Sequence, residues 1–405
     1  MINRYLQQFS YFPQKVTRLP ADSLSMVIVI PARREEDLIY TLDSLYSANK
    51  PIHPFEVIVV FNHPENEIEE LKKENYKYLD LCNDWIREKG FNNIFIIEAF
   101  DLPKKHAGVG LARKIGMDEA VRRLINNDDG IIVALDADCL VAANYLTSIE
   151  AYFELNKECN AASIYFEHRF EDMDDKLLDG IIQYELHLRY YNQLLKYAGH
   201  PFAYHTVGSS MVVRSSVYQK QGGMNKRKAG EDFYFLQKII QLGNYGEINT
   251  TTVYPSSRVS DRVPFGTGRA QGEWLEGVNT ELQSYHSQVG DELKLFFQLI
   301  NEKGMDVKFE SFPKSIRQFI GEREWEAKAA ELIANTRSSE AYIQRFYLWF
   351  NLFMCFKYVH FYRDNFQNNI GITIASASLL KKLNINVKEE GSLALMKKFR
   401  KLERG

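Results

Sequence analysis

Two pairs of carboxylates in this chain have the spacing of reactive groups. Asp136 and Asp138 end the apolar run Ile131–Leu135 as Asp-Ala-Asp, and a spacing of two sends both side chains to one side of an extended chain. Paired hard oxygens of that kind suit Mg²⁺ or Mn²⁺ shared with a phosphate. A D-x-D standing alone is more often a turn or a helix cap. The second pair, Glu231-Asp232, follows the basic loop NKRKAG and opens a helical pattern with Phe233, Leu236, Ile239 and Ile240 on its inner side and Gly243 at its end. Acidic residues complement the helix dipole there. A carboxylate fixed at a helix end is also well placed as a general base.

The elements that must hold these pairs read as alternating strands and helices. Strands are expected at Ser25–Ile30 (ended by Pro31), Phe55–Phe61, Asn93–Glu98, Ile131–Leu135, Ala161–Phe166 and Met211–Val213. Helices are expected at Leu38–Ser47, Glu65–Lys89 (stopped by Gly90), Asn144–Leu155 and Asp175–Leu195. That alternation predicts a doubly wound parallel sheet, with ligands beyond the carboxyl ends of its strands. Before the fourth strand, Gly108 and Gly110 open a helix beside Lys104, Lys105 and Arg113. Such a start would receive a diphosphate, and it equally suits a solvated face; it matches neither a G-x-G-x-x-G loop nor a P-loop. The compact stretch Val253–Ala270 carries Arg258, Arg262 and Arg269, which could meet phosphate or line a surface loop. From Gln271 the chain reads as mostly helical, with aromatic-rich segments at Leu293–Ile300 and Tyr342–Tyr362.

Bulk properties narrow the class. A chain of 405 residues with 45% hydrophobic and 25% charged content is an ordinary globular protein, of two domains or of one with an extension. Its net charge of −3 argues against a nucleic-acid binder. Cys82, Cys139, Cys159 and Cys355 are widely separated, as reduced core thiols of a cytoplasmic protein are. The N-terminus lacks the apolar block of a signal peptide. The 11 uncharged residues Phe346–Phe356 are too few to span a bilayer; the protein is expected in solution or peripherally on the cytoplasmic membrane face.

Taken in order, a strand ending in IPARREE, the segment GVGLARKIG, a strand followed by DAD, and GG followed by GED at a helix start resemble the family-2 glycosyltransferases of the GT-A fold. The match runs roughly from Ser25 to Gly243, and the order of the motifs is far more specific than any one of them. The resemblance implies an α/β chain: a GT-A, Rossmann-like, mostly parallel sheet flanked by helices over 25–270, an N-terminal extension over 1–24, and a mainly helical C-terminal region over 271–405. It implies a metal-dependent inverting transfer of a hexosyl group from a nucleotide-diphosphate sugar to a hydroxyl of a saccharide or lipid-linked saccharide, in the synthesis of a bacterial cell-surface polysaccharide or glycolipid. Pro31, Ala32, Arg33, Glu35 and Asn62 would lie near the nucleoside, and Arg113 would meet the donor. Asp136 would hold the ribose and, with Asp138, Mn²⁺ or Mg²⁺. Asp232 would be the base, with Glu231 as the alternative base or an acceptor ligand.

By their place before the GED loop, His205, Ser209 and Ser210 could line the acceptor side, although His205 reads first as a hydrogen-bonded structural histidine. Arg262 could join them by gripping phosphate. One departure is Phe61-Asn62-His63, where many relatives carry an Asp near the base; the nucleotide is left open. Two other readings also stay open. A nucleotidyltransferase would set similar Asp residues beside such a sheet, but PARREED lacks the glycine-rich loop those enzymes use. A non-catalytic sugar-nucleotide-binding scaffold would dock its helical tail on a partner. That tail reads equally as an acceptor cap, a dimer interface or a peripheral membrane surface.

Overall fold

The computed structural model describes residues 3–127, 129–171, 173–260, 266–277 and 280–405. The chain forms two compact units, one of Met1–Asp172, Thr206–Gly272 and Arg404, the other of Met173–His205, Glu273–Glu403 and Gly405.

The first unit is α/β. Its strands are β1 (Met26–Ala32), β2 (Phe55–Pro64), β3 (Ile94–Leu102), β4 (Ile131–Ala134), β5 (Leu140–Val141), β6 (Ala161–Phe166), β7 (Met211–Arg214) and β8 (Tyr245–Tyr254). They form one eight-stranded sheet in the order β3-β2-β1-β4-β7-β6-β8-β5. It is mostly parallel; β7 and β5 run against the others. Helices are α1 (Arg4–Phe9), α2 (Leu38–Ser47), α3 (Glu69–Lys89), α4 (Val109–Arg123), α5 (Tyr145–Leu155), α6 (Asp175–Ala198), α7 (Ser215–Lys220) and α8 (Glu231–Ile240), of which α6 belongs to the second unit. Every residue of β1 is buried, as continuous apolar strands covered on both faces are. Pro31 does not end β1 as the sequence suggested. It pairs with Val60 of β2, and its missing N–H falls just where the ladder to β4 stops, after Val29↔Ala134.

Helix α4 lies unusually close to the sheet, because a Cβ on Gly116 would sit 2.4 Å from Val29 Cγ1. Its inner face carries charge, and each charge is answered. Asp118 accepts from Tyr5 (2.6 Å), Tyr218 (2.9 Å) and the Tyr11 N–H (3.1 Å). Glu119 accepts from the N–H groups of Lys15 (3.1 Å) and Val16 (2.9 Å). Arg123 grips Glu56 through two nitrogens at 2.6 and 2.7 Å. Residues 3–18 of the N-terminal extension are thus a strap over α4 and part of the α/β unit.

The second unit is helical. Helix α6 was expected within the sheet domain, but its Leu194 packs so tightly on Gly290 that a Cβ there would come within 2.5 Å, and Tyr190 donates to Tyr285 O at 2.7 Å. Arg189, fully buried on α6, pairs with Glu185 at 2.8 Å and with Glu403. The helices Gln288–Lys303 and Ser339–Trp349 contribute Phe296, Phe297 and Phe346 to an aromatic core with Phe350. No helix among the described residues is long and apolar enough to cross a membrane. All four cysteines are buried and unbridged.

Candidate active site

Strand β4 delivers the first carboxylate pair. Its register with β1 continues one step, Leu135 N–H to Val29 O at 3.1 Å, and the chain then turns, with Cys139 N–H donating to Asp136 O at 3.2 Å. One face of α2 fixes that turn from both ends: Thr41 donates to Ala137 O at 2.8 Å, and Ser44 Oγ accepts the Val141 N–H at 2.8 Å. Held there, the Asp136 and Asp138 side chains keep 37% and 28% of their surface exposed. They lie at the carboxyl end of β4, beside β1, where parallel sheets bind ligands.

The second pair is brought to the first by two glycines. A Cβ on Gly110 would lie 2.2 Å from Arg227 O and 2.9 Å from Glu231 Cβ; one on Gly108 would lie 2.9 Å from Lys228 Cα. The start of α4 is therefore packed against the NKRKAG loop. The small size of these glycines serves contact between two stretches of backbone at the helix start. Gly110→Ala must displace the loop carrying Glu231. It is expected to destabilise the fold by about 1–3 kcal/mol and to lower donor binding, read as a lower urea midpoint and a weaker ligand-induced thermal shift.

Between the pairs sits Arg113, 1% exposed. It donates to Asp136 at 2.5 Å through one terminal nitrogen and to Glu231 through the other. Asp232 faces the same guanidinium: a Cβ on Gly208 would sit 2.9 Å from both Arg113 nitrogens and 3.0 Å from Asp232 Oδ2. Asp232 itself accepts the Phe233 N–H at 2.7 Å. One buried cation thus faces three carboxylates. Burial raises Glu231 to about 7 against the pull of Arg113, with Asp232 adding to the rise. Burial raises Asp232 as well, again opposed by Arg113. Arg113, expected at the donor, is buried and joins the two acidic pairs.

The raised acid gives stability a definite pH dependence. Between 4.5, the ordinary value for Glu, and about 7, the folded state keeps a proton that the unfolded chain releases. Stability contributed by this cluster therefore falls as pH rises through that window. Glu231→Gln is expected to flatten the fall, measured as urea midpoint against pH.

A second guanidinium, Arg258, closes the outer side. It pairs with Glu35, with Asp37 at 3.1 Å and Glu36 at 3.4 Å, and approaches Asp138 to 3.6 Å. It ties the PARREED turn to the Asp-Ala-Asp turn. Arg33 of that turn pairs with Glu67.

The remaining expected residues fall as follows. Pro31 and Ala32 are buried in β1, and Glu35 (4% exposed) is held by Arg258. Asn62 is buried at the end of β2 with its Nδ2 unpartnered. Ser209 and Ser210 are buried next to β7, and Ser210 Oγ has no partner among the described residues. His205 lies in the helical unit, 3.0 Å from Glu403. Burial would raise Glu403, but His205 and Arg189 outweigh it and hold the carboxyl at about 2. The contact with Glu403 is that of a hydrogen-bonded structural histidine. Arg262 lies outside the described residues. Sequence reasoning missed Gly208 and Thr41. A lone glycine before two serines and a threonine inside an amphipathic helix leave no pattern to read.

The acidic pairs suit a divalent ion of the kind that keeps waters and phosphate oxygens among its ligands and takes few from protein. Asp136 and Asp138 are partly open hard-oxygen donors, which fits. A closed protein cage is not formed here. Among the described residues, the group of three His or carboxylate atoms within 4.8 Å of one another is His53, Glu150 and Glu154. It lies at the amino end of β2, where Glu150 accepts the N–H groups of Ile52 (2.7 Å) and His53 (2.8 Å).

No protein-family model matches the chain, and no curated protein matches it. Solved structures similar to it include S. aureus TarS residues 1–349 in complex with UDP-GlcNAc, at 13% identity over 90% of this chain and 93% of that one, TM-score 0.41. Another is the mannosyltransferase PcManGT from Pyrobaculum calidifontis in complex with GDP-Man and Mn²⁺, at 13% identity over 98% and 86%, TM-score 0.37. At this degree of superposition the likeness carries no conclusion about this chain.

Proposed function

We propose that the chain is an inverting glycosyltransferase that moves a sugar from a nucleotide-diphosphate sugar to an acceptor hydroxyl. The observation that supports this most is the Arg113 bridge, which brings Asp136 of the strand end and Glu231-Asp232 of the helix start into one cluster. Transfer needs two opposed acts at one carbon. The acceptor oxygen attacks the anomeric carbon while its proton passes to a carboxylate, for which Asp232 is placed, and the bond to the diphosphate oxygen breaks with its electron pair leaving on that oxygen. Mn²⁺ or Mg²⁺ held by Asp136 and Asp138 would supply charge for the leaving diphosphate. Arg113, buried, holds the carboxylates of both pairs at fixed distance, and Arg258 keeps the PARREED turn against Asp138, so the site is ordered before ligand arrives.

A thermal-shift panel of nucleotide sugars, with and without Mn²⁺, tests the reading. One donor class is expected to raise the melting temperature only with metal, because a ligand bound only by the folded state stabilises it. Asp138→Ala is expected to abolish that shift. A panel with no response, or pyrophosphate release from a nucleoside triphosphate and a sugar phosphate, would replace this reading with the nucleotidyltransferase or another one.

A further inference from the structure

We propose that Lys104, Lys105, Lys226, Arg227 and Lys228 form a rim that binds the phosphates of an anionic acceptor chain; this names the acceptor class of the transferase proposed above and rests on that reading. The five side chains come from two loops that the backbone contacts at Gly108 and Gly110 press together. All five residues are exposed. None of the five charged head groups pairs with a carboxylate among the described residues, although the Lys104 N–H donates to Glu65 at 3.1 Å, whereas the guanidinium groups of Arg33, Arg113, Arg123 and Arg258 all do. In a chain of net charge −3, this concentration of unanswered cations is a local reversal of sign.

Its place gives it a use. Asn225 donates to Glu231 O at 2.8 Å, so the loop bearing Lys226, Arg227 and Lys228 is fixed to the helix turn that carries Asp232. Arg227 rests over the Tyr234 ring at 3.8 Å, and Lys226 lies 5.2 Å from that of Tyr11, which limits how far either head group wanders. The rim therefore flanks the helix turn that carries Asp232. A neutral saccharide would gain little from it. An acceptor bearing phosphates would be repelled by the acidic cluster unless cations outside that cluster drew it in, which is what such a rim does.

Inorganic polyphosphate is the probe, titrated into the full chain by calorimetry at low and at physiological ionic strength. Binding that weakens with salt is expected. Lys105→Glu/Lys228→Glu is expected to bind roughly tenfold more weakly or worse, while Lys73→Glu/Lys77→Glu, the same charge change on exposed positions of α3, binds as the unaltered chain does. Equal binding by both variants, or no binding by the unaltered chain, overturns the proposal. Binding to phosphatidylglycerol vesicles without binding to polyphosphate also overturns it, in favour of a membrane surface. The nucleotide-sugar thermal shift is read on the same variants. Rim-dependent polyphosphate binding in a chain that responds to no donor leaves the phosphate rim standing and removes the transferase reading.

Discussion

Asp232→Asn is expected to lose about 10²–10⁴-fold in turnover, the ordinary worth of general-base assistance, while the donor-induced thermal shift survives. The substitution is close to isosteric, and the new side-chain oxygen can still accept the Phe233 N–H that Asp232 accepts at 2.7 Å. What it removes is the ability to take a proton. It also takes one negative charge from a cluster in which Asp232 helps raise Glu231 to about 7, so Glu231 should ionise at lower pH in the variant. Turnover against pH is the discriminating measurement. In the unaltered chain the acidic limb should lie above the ordinary Asp value of 3.8, because burial raises Asp232. If Asp232→Asn turns over normally and Glu231→Gln does not, the base is Glu231. If both turn over normally, neither is.

Arg113→Met is expected to destabilise the fold by roughly 3–5 kcal/mol, the usual result of removing one partner from a buried ion pair. The loss comes less from the bonds broken than from the carboxylates left facing one another. Glu231 and Asp232 would then lie beside Asp136 with no cation among the three, and the proton affinities of Glu231 and Asp232 would rise further. The deficit should therefore be larger at pH 8 than at pH 5, which a loss of packing alone would not produce. Urea denaturation at the two pH values measures it. Adding Glu231→Gln to Arg113→Met should recover part of the loss, and the double-mutant cycle gives the coupling directly. Arg113→Lys should rescue poorly, since a single ammonium cannot reach two carboxylates as the fork of a guanidinium does.

The sequence made the strands of the sheet legible where burial is two-sided. β1, β2, β4 and β6 are nearly all apolar, and their positions follow from that alone. β8 escaped notice because Tyr245–Tyr254 carries three consecutive threonines, and its buried apolar residues Tyr245, Ile248 and Val253 are widely spaced. Helix α6 was legible as a helix but not as a member of the second unit, since its apolar stripe does not say which partner covers it. The acidic pairs were legible by type and spacing. Their union through Arg113 was not: an arginine at a helix start looks the same in sequence whether it faces water or is buried beneath a site. The close approaches at Gly108, Gly110 and Gly208 were equally silent, because the reason for each glycine lies in a residue 24 to 121 positions away.

The strap of residues 3–18 sets an order on the maturation of the chain. It leaves the ribosome before everything it binds, and its anchors lie far downstream: Tyr5 waits 113 residues for Asp118, and Asn3 waits 216 for Gln219. Closing spans of that length is slow compared with forming local helices. Until it happens, Asp118 lacks the Tyr5 and Tyr11 donors and Glu119 lacks the N–H groups of Lys15 and Val16. A segment synthesised ahead of all its partners should thus be among the last to seat, as a latch over a helix whose other end carries Arg113.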